Sequence, residues 1–450
     1  VRRGLVTKVT NELRLGQALR QSSSSRRNNR ESSRAARAAL PSATQMRKSS
    51  SSQGNGNGRG GTALNTSSSK SAKRIYILGV GNVGKLFAQS LADIPDRPLI
   101  TLLFHRPELA SIWKEKGETI ELVTNGISKK QGGYEIEVLK TQPDGSHQGI
   151  KDMIDCLITT TKAIHVVSAL SAIKARLSRD SAILFTQNGM GIVEKVNEEL
   201  FPNAEDRPNY MLGIVSHGVY SQHLFSSVHA GRGTISLGPV PRNPGPTGGA
   251  EDMPPPSRYI LQAVLRSPAL AAAEVSPTEI VLLQLEKLVA NAVINPLTAI
   301  FDCKNGQLLG NPHIADLMRL LLSEISLVIR SLPEMRGIPG TEARFSRERL
   351  EEVVVGVADK TAENISSMLQ DVRARRETEV GYINGYIVKR GEEVGVDCAV
   401  NRKVLLMVKE RTQISDAQIS DIFWVSVWPP AGMVFPPADL VGPPVAHERA

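Results

Sequence analysis

A polar stripe runs along an otherwise apolar stretch, "LEKLVANAVINPLTAIFDCKNGQL" (285–308). Lys287, Asn291 and Asn295 are spaced by four residues, which places them on one face if the segment is helical. Because the surrounding residues are apolar, the stripe either faces solvent or lines a wet cleft. Pro296 predicts that the helix ends or kinks at that point. From spacing alone, the solvated face is the favoured interpretation.

Ketone reduction is a chemistry that would use such a stripe. Hydride addition to a carbonyl leaves an alkoxide, which must then receive a proton. A lysine ammonium can polarise the carbonyl and then donate that proton. Its free pKa of about 10.4 would have to be lowered by burial or by a nearby cation. The asparagine amides would orient a carboxylate or hydroxyl without changing the charge of the site.

A second polar cluster lies in "TAENISSMLQDVRARRETEVGYING" (361–385). Asn364 and Ser367 are one helical turn apart, and Glu379 follows them. The serine and asparagine suit substrate oxygens, while the carboxylate suits a ribose hydroxyl or Lys287. As a bare pattern, an amphipathic helix followed by a turn is the favoured interpretation of the segment.

A hydride source is indicated by "ILGVGNVGK" (77–85), an apolar strand that runs into a glycine-rich turn and a helix. In a dinucleotide-binding turn, Gly79 permits the tight turn, Gly81 lets a pyrophosphate approach, and Gly84 lets helix and strand pack closely. The alternative is a sharp corner without a ligand. The candidate cofactor-contacting residues of the turn are Gly79, Val80, Gly81, Asn82, Val83 and Gly84.

The second predicted strand, "LITLLFHR", ends at Arg106. An NAD site usually has Asp or Glu at this position to hold the ribose 2′-hydroxyl. A guanidinium suits a 2′-phosphate instead, so NADP(H) is the favoured cofactor. Glu108 lies beyond Pro107 and is too late in the chain. A solvated surface arginine remains the alternative.

Two further residues follow predicted parallel strands, whose carboxyl ends face the ligand crevice. Lys162, after "CLITTT", suits a cofactor phosphate or is an exposed lysine at a helix start. Asn188, in "QNGMG" (187–191), suits the nicotinamide or the substrate, although a simple Asn-Gly turn has the same sequence.

The elements that must position these residues alternate first and then become helical. Apolar strands separated by helical patterns predict an α/β domain with a parallel sheet over residues 73–256, with a Pro/Gly-rich insertion near 239–256. From residue 257 to 412 the pattern predicts an all-helical domain. Residues 413–450 are predicted to be a disordered Pro-rich tail.

The first 72 residues carry most of the net charge of +9. Residues 1–72 have a local charge of +12 and a Ser/Arg/Gly-rich composition that predicts disorder, whereas the remainder carries −3. We therefore expect no nucleic-acid binding by the folded part. The extension suits a mitochondrial transit peptide, with a solvated extension of a cytoplasmic protein as the alternative. We expect no membrane span, because no apolar run approaches about 20 residues.

The three cysteines, Cys156, Cys303 and Cys398, are far apart in the sequence. Their spacing matches no metal site, so we expect no metal. Structural thiols in a reducing compartment are the simplest interpretation.

Taken together, the segments "GVGNVG", "QNGMG", 285–308 and "TAENISSMLQDVRARRETEVGYINGYIVKRG" resemble the ketopantoate reductase (2-dehydropantoate 2-reductase) family over about residues 73–412. The resemblance implies a Rossmann-type NADP-binding domain followed by a helical domain of the 6-phosphogluconate-dehydrogenase-like type, with the active site between them. It implies NADPH-dependent reduction of ketopantoate to pantoate in pantothenate biosynthesis. A reductase of another branched 2-keto acid and a non-catalytic NADPH-binding protein are the alternatives.

The resemblance also assigns roles to the candidate residues. Lys287 is implied to be the general acid, Glu379 the cofactor-side carboxylate, and Arg106 and Lys162 the contacts of the NADPH phosphates. Val219 is implied to make a backbone contact to the cofactor. The residues implied to contact the substrate are Asn188, which also meets the nicotinamide, Asn291, Asn295, Asn305, Asn364 and Ser367. The implied partner is a small keto acid, and a homodimer is one option for the assembly.

The sequence departs from the family pattern in three places. His165 stands where some relatives have glutamine, so the local cofactor contacts are expected to differ. The insertion near 239–256 lengthens a connection between the domains, and the tail after about residue 412 has no counterpart. None of these departures removes a proposed catalytic group.

Overall fold

The computed structural model describes residues 74–139, 152–241 and 253–423. The basic extension over residues 1–72 lies outside the described residues. The same holds for residues 242–252 of the predicted insertion and for the tail from residue 424.

An eight-stranded sheet forms the first part of the fold. All neighbouring strands are parallel except the antiparallel pair β8 and β11, which confirms the predicted parallel sheet. The strands, in their order across the sheet, are β12 (Ala272–Glu274), β11 (Ile235–Pro239), β8 (Asn209–Val215), β7 (Ala182–Phe185), β6 (Cys156–Thr159), β1 (Arg74–Leu78), β2 (Leu99–Phe104) and β5 (Glu135–Val138).

Strand order reverses at β1, which pairs with β2 on one side and with β6 on the other. The central strands are continuous apolar runs, as expected for strands covered on both faces. Ligands of such sheets bind where the order reverses, at the carboxyl ends of the strands. The helices of this part are α1 (Asn82–Ala92), α2 (Glu108–Glu115), α3 (Val166–Ser171), α4 (Ile192–Glu199) and α5 (Pro255–Leu265).

A second, four-stranded sheet was not predicted from the sequence. It consists of β4 (Ile127–Gln131), β3 (Ile120–Thr124), β10 (Ser226–Gly231) and β9 (Gly218–His223). Helix α1 packs against it through Lys85, whose ammonium donates a hydrogen bond to the carbonyl oxygen of Ser226 at 3.0 Å.

The helical part surrounds its own apolar core. Its helices are α6 (Pro277–Ile300), α7 (Pro312–Ser331), α8 (Thr341–Arg344), α9 (Arg347–Lys360), α10 (Ser367–Arg373), α11 (Asn384–Val394), α12 (Ala399–Glu410) and α13 (Ile419–Phe423). The Rossmann-like sheet followed by helices confirms the predicted fold class.

The start of the helical part differs from the predicted boundary at residue 257. Helix α5 buries Ile260 and Val264 in the core of the large sheet, and β12 extends that sheet by pairing with β11. The prediction of an all-helical domain from residue 257 left no strand here, but the edge of β11 offers unpaired backbone groups that a strand satisfies. The helical part therefore begins with α6.

Helix α6 does not end at Pro296, the first of the two predicted outcomes, but continues through it to Ile300. Proline has no N–H, so the carbonyl of Ala292, four residues earlier, lacks its helical donor. The side chain of Asn384 replaces that donor, with Nδ2 2.8 Å from the Ala292 oxygen. By length and composition α6 could cross a bilayer, but two-thirds of its most apolar window is buried inside the fold, as in the core helix of a globular protein.

Part of the segment 413–450, which was predicted to be a disordered tail, is folded. Residues 416–418 form a turn of 3₁₀-helix and α13 follows, with Ile419 and Phe423 buried in the helical core. These two apolar side chains explain why the segment packs, despite the lack of periodicity in the rest of the tail.

Candidate functional site

The glycine turn between β1 and α1 has the features of a phosphate site. Gly79 adopts φ of 99°, and a Cβ there would collide with the backbone of Thr161. A Cβ at Gly84 would overlap the carbonyl of Gly79. Gly81, by contrast, has no atom within 4 Å of an added Cβ. The turn itself thus requires Gly79 and Gly84, while Gly81 leaves open space in front of the α1 N-terminus, where unpaired N–H groups favour anions.

The other three residues of the turn are anchored to the protein. Val80 and Val83 pack at the margin of the sheet core. The Oδ1 atom of Asn82 accepts a hydrogen bond from the Ser227 hydroxyl at 3.0 Å, which ties the turn to the second sheet. Their side chains are engaged by the protein, so any contact with a cofactor falls to their backbone atoms.

Lys85 was not among the predicted site residues, but it is a second lysine with a lowered pKa near the glycine turn. The signal was present, because a lysine directly after Gly84 stands on the first turns of a mostly buried helix. Its burial lowers its pKa to about 8. The ammonium points to the Ser226 carbonyl in the second sheet.

Arg106 lies exposed just beyond the end of β2, as predicted. Within the described part of the chain its guanidinium has neither an ion-pair partner nor a side-chain hydrogen bond. A free guanidinium beside the strand-order reversal is able to take a phosphate. Glu108, the alternative ribose ligand, begins α2.

Lys162 reaches across to the helical part. Its ammonium pairs with the carboxylate of Asp371 on α10, which also receives Arg376 at 3.0 Å. Asp371 is buried, so two cations neutralise one desolvated anion. A cofactor phosphate would have to share or displace this pairing to meet Lys162.

Glu379 joins the two parts of the fold. Its Oε1 accepts the backbone N–H of Ala163 at 2.9 Å, and its Oε2 accepts the Asn188 amide at 3.2 Å. Burial raises the pKa of Glu379, against the opposing effects of the Ala163 N–H, the Lys162 ammonium and the Asn188 amide. The carboxylate thus sits at the carboxyl ends of β6 and β7.

The loop that carries Asn188 is fixed against the helical part. Gly189 adopts φ of 84°, and any side chain there would collide with the backbone of Tyr382. The N–H of Met190 donates to the Tyr382 carbonyl at 2.9 Å. The glycine is therefore required by close backbone packing, which brings Asn188 to Glu379.

Lys287 lies on α6 with its ammonium 2.7 Å from the carbonyl oxygen of Val215, at the end of β8. Burial lowers the pKa of Lys287 to about 8, while the charge of Glu379 acts in the opposite direction. The ammonium is therefore a stronger acid than that of a free lysine.

The predicted substrate residues follow Lys287 along α6 and onto α10. Thr298 on α6 donates to the Ser366 hydroxyl at 2.7 Å, which brings the start of α10, with Ser367, beside the later turns of α6. Four of the predicted side chains have no hydrogen-bond partner within the described residues and remain available to a ligand: Asn291, Asn295, Asn364 and Ser367.

Asn305, unlike these four residues, is held by a hydrogen bond of its side chain to the protein. Its N–H donates to the Asn364 carbonyl at 3.1 Å, and its Nδ2 donates to the Thr361 hydroxyl at 2.8 Å. The buried Oδ1 has no partner in the described structure. The structure thus brings Asn305 and Asn364 together, while it records no hydrogen bond from this pair to Lys287.

Val219, the predicted backbone contact, lies in β9 directly opposite His229 of β10. Its side chain packs on the sheet core. It follows the end of β8 by four residues, so the same connection carries Val219 and the Val215 carbonyl that holds Lys287.

Two family models match the chain. The model described as "Ketopantoate reductase PanE/ApbA" matches residues 75–242, and "Ketopantoate reductase PanE/ApbA C terminal" matches residues 279–412. A probable 2-dehydropantoate 2-reductase of Schizosaccharomyces pombe is 33% identical over 341 residues, covering 75% of this chain and 96% of that protein.

Other similar proteins include a second kind of reductase. The ketoisovalerate reductase BEA2 of Gibberella fujikuroi is 32% identical over 365 residues, covering 71% of this chain and 79% of that protein. The crystal structure of a probable 2-dehydropantoate 2-reductase from Bacillus subtilis has a TM-score of 0.56 and 27% identity, covering 75% of this chain and 99% of that one.

Proposed function

This chain belongs to the ketopantoate reductase family, and we propose that it uses NADPH to reduce 2-dehydropantoate to pantoate. As a member of that family it is an oxidoreductase that acts on a CH–OH group with a nicotinamide dinucleotide. The observation that carries the specific proposal is the position of the Lys287 ammonium. It donates a hydrogen bond to the Val215 carbonyl from a helix that also presents two unengaged asparagines.

The residues at the strand-order reversal fit a dinucleotide. The open space at Gly81 and the N-terminus of α1 suit the pyrophosphate, and Glu379 suits a ribose hydroxyl. The unpaired guanidinium of Arg106 supports a 2′-phosphate and therefore NADPH rather than NADH. When bound, NADPH supplies the hydride that reaches C2 of the keto acid.

Lys287 completes the reduction by moving a proton. Its ammonium polarises the C2 carbonyl oxygen and donates one proton from Nζ as the C2–H bond forms, so ketone, hydride and proton give the alcohol. The neutral amine then recovers a proton from solvent. With a pKa of about 8, roughly nine-tenths of Lys287 is protonated at pH 7.

Substrate choice is proposed to rest on the free polar side chains of α6 and α10. Ketopantoate carries a terminal hydroxyl that ketoisovalerate lacks. Asn291, Asn295 and Ser367 suit a carboxylate and that hydroxyl. A site built to hydrogen-bond a hydroxyl discriminates strongly against an analogue without it, by about 10⁴-fold or more.

Reduction of ketoisovalerate is the second candidate function, because relatives of similar identity carry the name ketoisovalerate reductase. The test measures kcat/KM for both keto acids by the loss of NADPH absorbance. We expect ketopantoate to be preferred. A preference for ketoisovalerate would replace the proposed substrate, and NADPH binding without turnover of either acid would favour a non-catalytic binder.

Lys287→Ala provides the second arm of this test. We expect it to lower kcat strongly and to change NADPH affinity little, since the ammonium donates to the substrate oxygen. Turnover equal to that of the unaltered protein would contradict the role of Lys287.

We also propose that the basic extension directs the protein to mitochondria. Its Arg/Ser-rich composition with two acidic residues supports this. Residues 1–72 fused to a fluorescent protein should accumulate in mitochondria, and a purely cytoplasmic signal would refute the proposal.

A further inference from the structure

We propose that His217 is a positioning residue for the proton donor, because it locks the connection between β8 and β9 that presents the Val215 carbonyl to Lys287. This inference rests on the proposed role of Lys287 as the acid. It concerns a residue that does not itself touch the substrate.

Three hydrogen bonds hold the His217 ring in place. Its Nε2 lies 2.9 Å from the carbonyl oxygen of Leu270, just before β12. Its Nδ1 lies 3.0 Å from Nε2 of His229 and 3.2 Å from the backbone N–H of Gly233. The preceding residue, Ser216, adds two bonds to Thr234 through its hydroxyl and a third through its own N–H.

The partners determine which nitrogen of His217 carries the proton. The Leu270 carbonyl can only accept, so Nε2 must be protonated. The Gly233 N–H can only donate, so Nδ1 must present its lone pair, which also receives the Nε2–H of His229. Only the neutral Nε2–H tautomer of His217 satisfies all of these contacts.

The hydrogen bonds of His217 lie beside the carbonyl group that accepts the Lys287 ammonium. His217 follows Val215 by two residues, and Val215 accepts the Lys287 ammonium at 2.7 Å. On the other side, Val219 is opposite His229 in the β9–β10 pair. The two imidazoles therefore fix both ends of the 215–219 connection, at the lysine acceptor and at the predicted cofactor contact.

The electrostatic surroundings keep the pair neutral. Burial lowers the pKa of His217, opposed by the Leu270 carbonyl and reinforced by Arg232. Burial, His217 and Arg232 lower the pKa of His229, opposed by the Gly231 carbonyl. Among the charged side chains of the described residues, Arg232 is the one whose charge lowers the pKa of both imidazoles. Protonation of His217 Nδ1 becomes favourable only at a pH below the ordinary pKa range of histidine. The new N–H would face two donors, Gly233 N–H and His229 Nε2–H, so these hydrogen bonds would break.

The test measures the titration of Lys287 directly. The protein is labelled with ¹³C at lysine Cε, and the NMR signal that is missing from Lys287→Met is assigned to Lys287. The titration midpoint of that signal should be about 8. In His217→Gln, the Gln amide can still donate towards Leu270 but offers no lone pair at the Nδ1 position. A displaced Val215 carbonyl no longer stabilises the ammonium, so the midpoint should fall by about half a unit or more.

The matched control is His223→Gln, an exposed histidine at the end of the same strand β9. It should leave the Lys287 midpoint at about 8. An unchanged midpoint in folded His217→Gln would overturn the inference. If His217→Gln fails to fold, two variants of His229 provide the test instead. His229→Leu removes the donor to His217 Nδ1, whereas His229→Gln keeps an N–H at the Nε2 position. Only the leucine variant should therefore lower the titration midpoint of Lys287.

Turnover separates this inference from the proposed function. Absence of keto-acid reduction by the unaltered protein would refute the proposed function, while the midpoint still reports on His217. With turnover, His217→Gln should lose about tenfold or more in kcat with a smaller change in the KM for the keto acid. It should also lack the loss of activity at acid pH that protonation of His217 causes in the unaltered protein.

Discussion

Replacement of Lys287 by methionine is the most informative perturbation when paired with the same replacement at Lys85. The two lysines are closely matched, because burial lowers the pKa of each to about 8 and each ammonium donates to a backbone carbonyl. Only Lys287 lies on the helix with the unengaged asparagines. An alkaline limb near pH 8 in the activity profile would therefore fit either lysine until the variants are compared.

The expected magnitudes follow from the proton. The proposed mechanism requires the acid form of Lys287, so kcat should be constant between about pH 6 and pH 7 and fall tenfold per pH unit well above pH 8. Loss of a general acid costs about 10²–10⁴-fold in rate. Lys287→Met should thus show a low rate without that limb, whereas Lys85→Met should keep both the rate and the limb.

Protein stability provides the control for folding. Each lysine is charged in the folded and unfolded states at pH 7, and its lowered folded-state pKa means that burial disfavours the charge there. This cost is fully present below the folded pKa of about 8 and is relieved as the pH rises towards the unfolded value of 10.5. Neither methionine variant should therefore lose its cooperative unfolding transition at pH 7.

The assay is the initial rate of NADPH oxidation with saturating ketopantoate between pH 6 and pH 10, with thermal unfolding measured in parallel. The reasoning would be refuted if Lys287→Met kept the alkaline limb. It would also be refuted if Lys85→Met lost the limb while remaining folded, because that would place the titrating acid on α1.

Three further outcomes are expected. Glu379→Gln removes the carboxylate that raises the pKa of Lys287, so the alkaline limb should move about one unit below pH 8; a limb that stays in place would show that the two charges are not coupled. Gly84→Ala should lower the Tm because its Cβ overlaps backbone, whereas Gly81→Ala should keep the Tm and weaken NADPH binding in a fluorescence titration; equal Tm losses would contradict the open space at Gly81. Arg106→Gln should lower kcat/KM with NADPH about tenfold or more and leave that with NADH unchanged, and equal losses would exclude a 2′-phosphate contact.

Local sequence patterns predicted the parts of the fold that depend on local physics. Continuous apolar runs predicted the central strands, and the glycine spacing predicted the turn, because backbone clashes at Gly79 and Gly84 leave no alternative residue. The four-residue spacing of Lys287, Asn291 and Asn295 correctly predicted a helix. The role proposed for that stripe could not be derived from spacing, because the burial that lowers the pKa of Lys287 depends on the tertiary fold.

Features that depend on distant residues were not predictable from local patterns. The continuation of α6 beyond Pro296 requires the Asn384 amide, which lies 92 positions from the carbonyl it satisfies. The pairing of Lys162 with Asp371 spans the two parts of the fold in the same way. The strand β12 was hidden in an alanine-rich segment, because its formation depends on the free edge of β11 rather than on its own residues.

The late position of β12 has a consequence for the biosynthesis of the protein. The large sheet acquires its last strand only when residues 272–274 have been made, well after the 239–256 segment. Until then β11 presents an unpaired edge, which is a template for strand addition from another nascent chain. A ribosome-bound or proteolytic fragment that ends near residue 256 should therefore aggregate, whereas one that extends past Val275, whose N–H donates to the Leu237 carbonyl, carries its own cap on that edge.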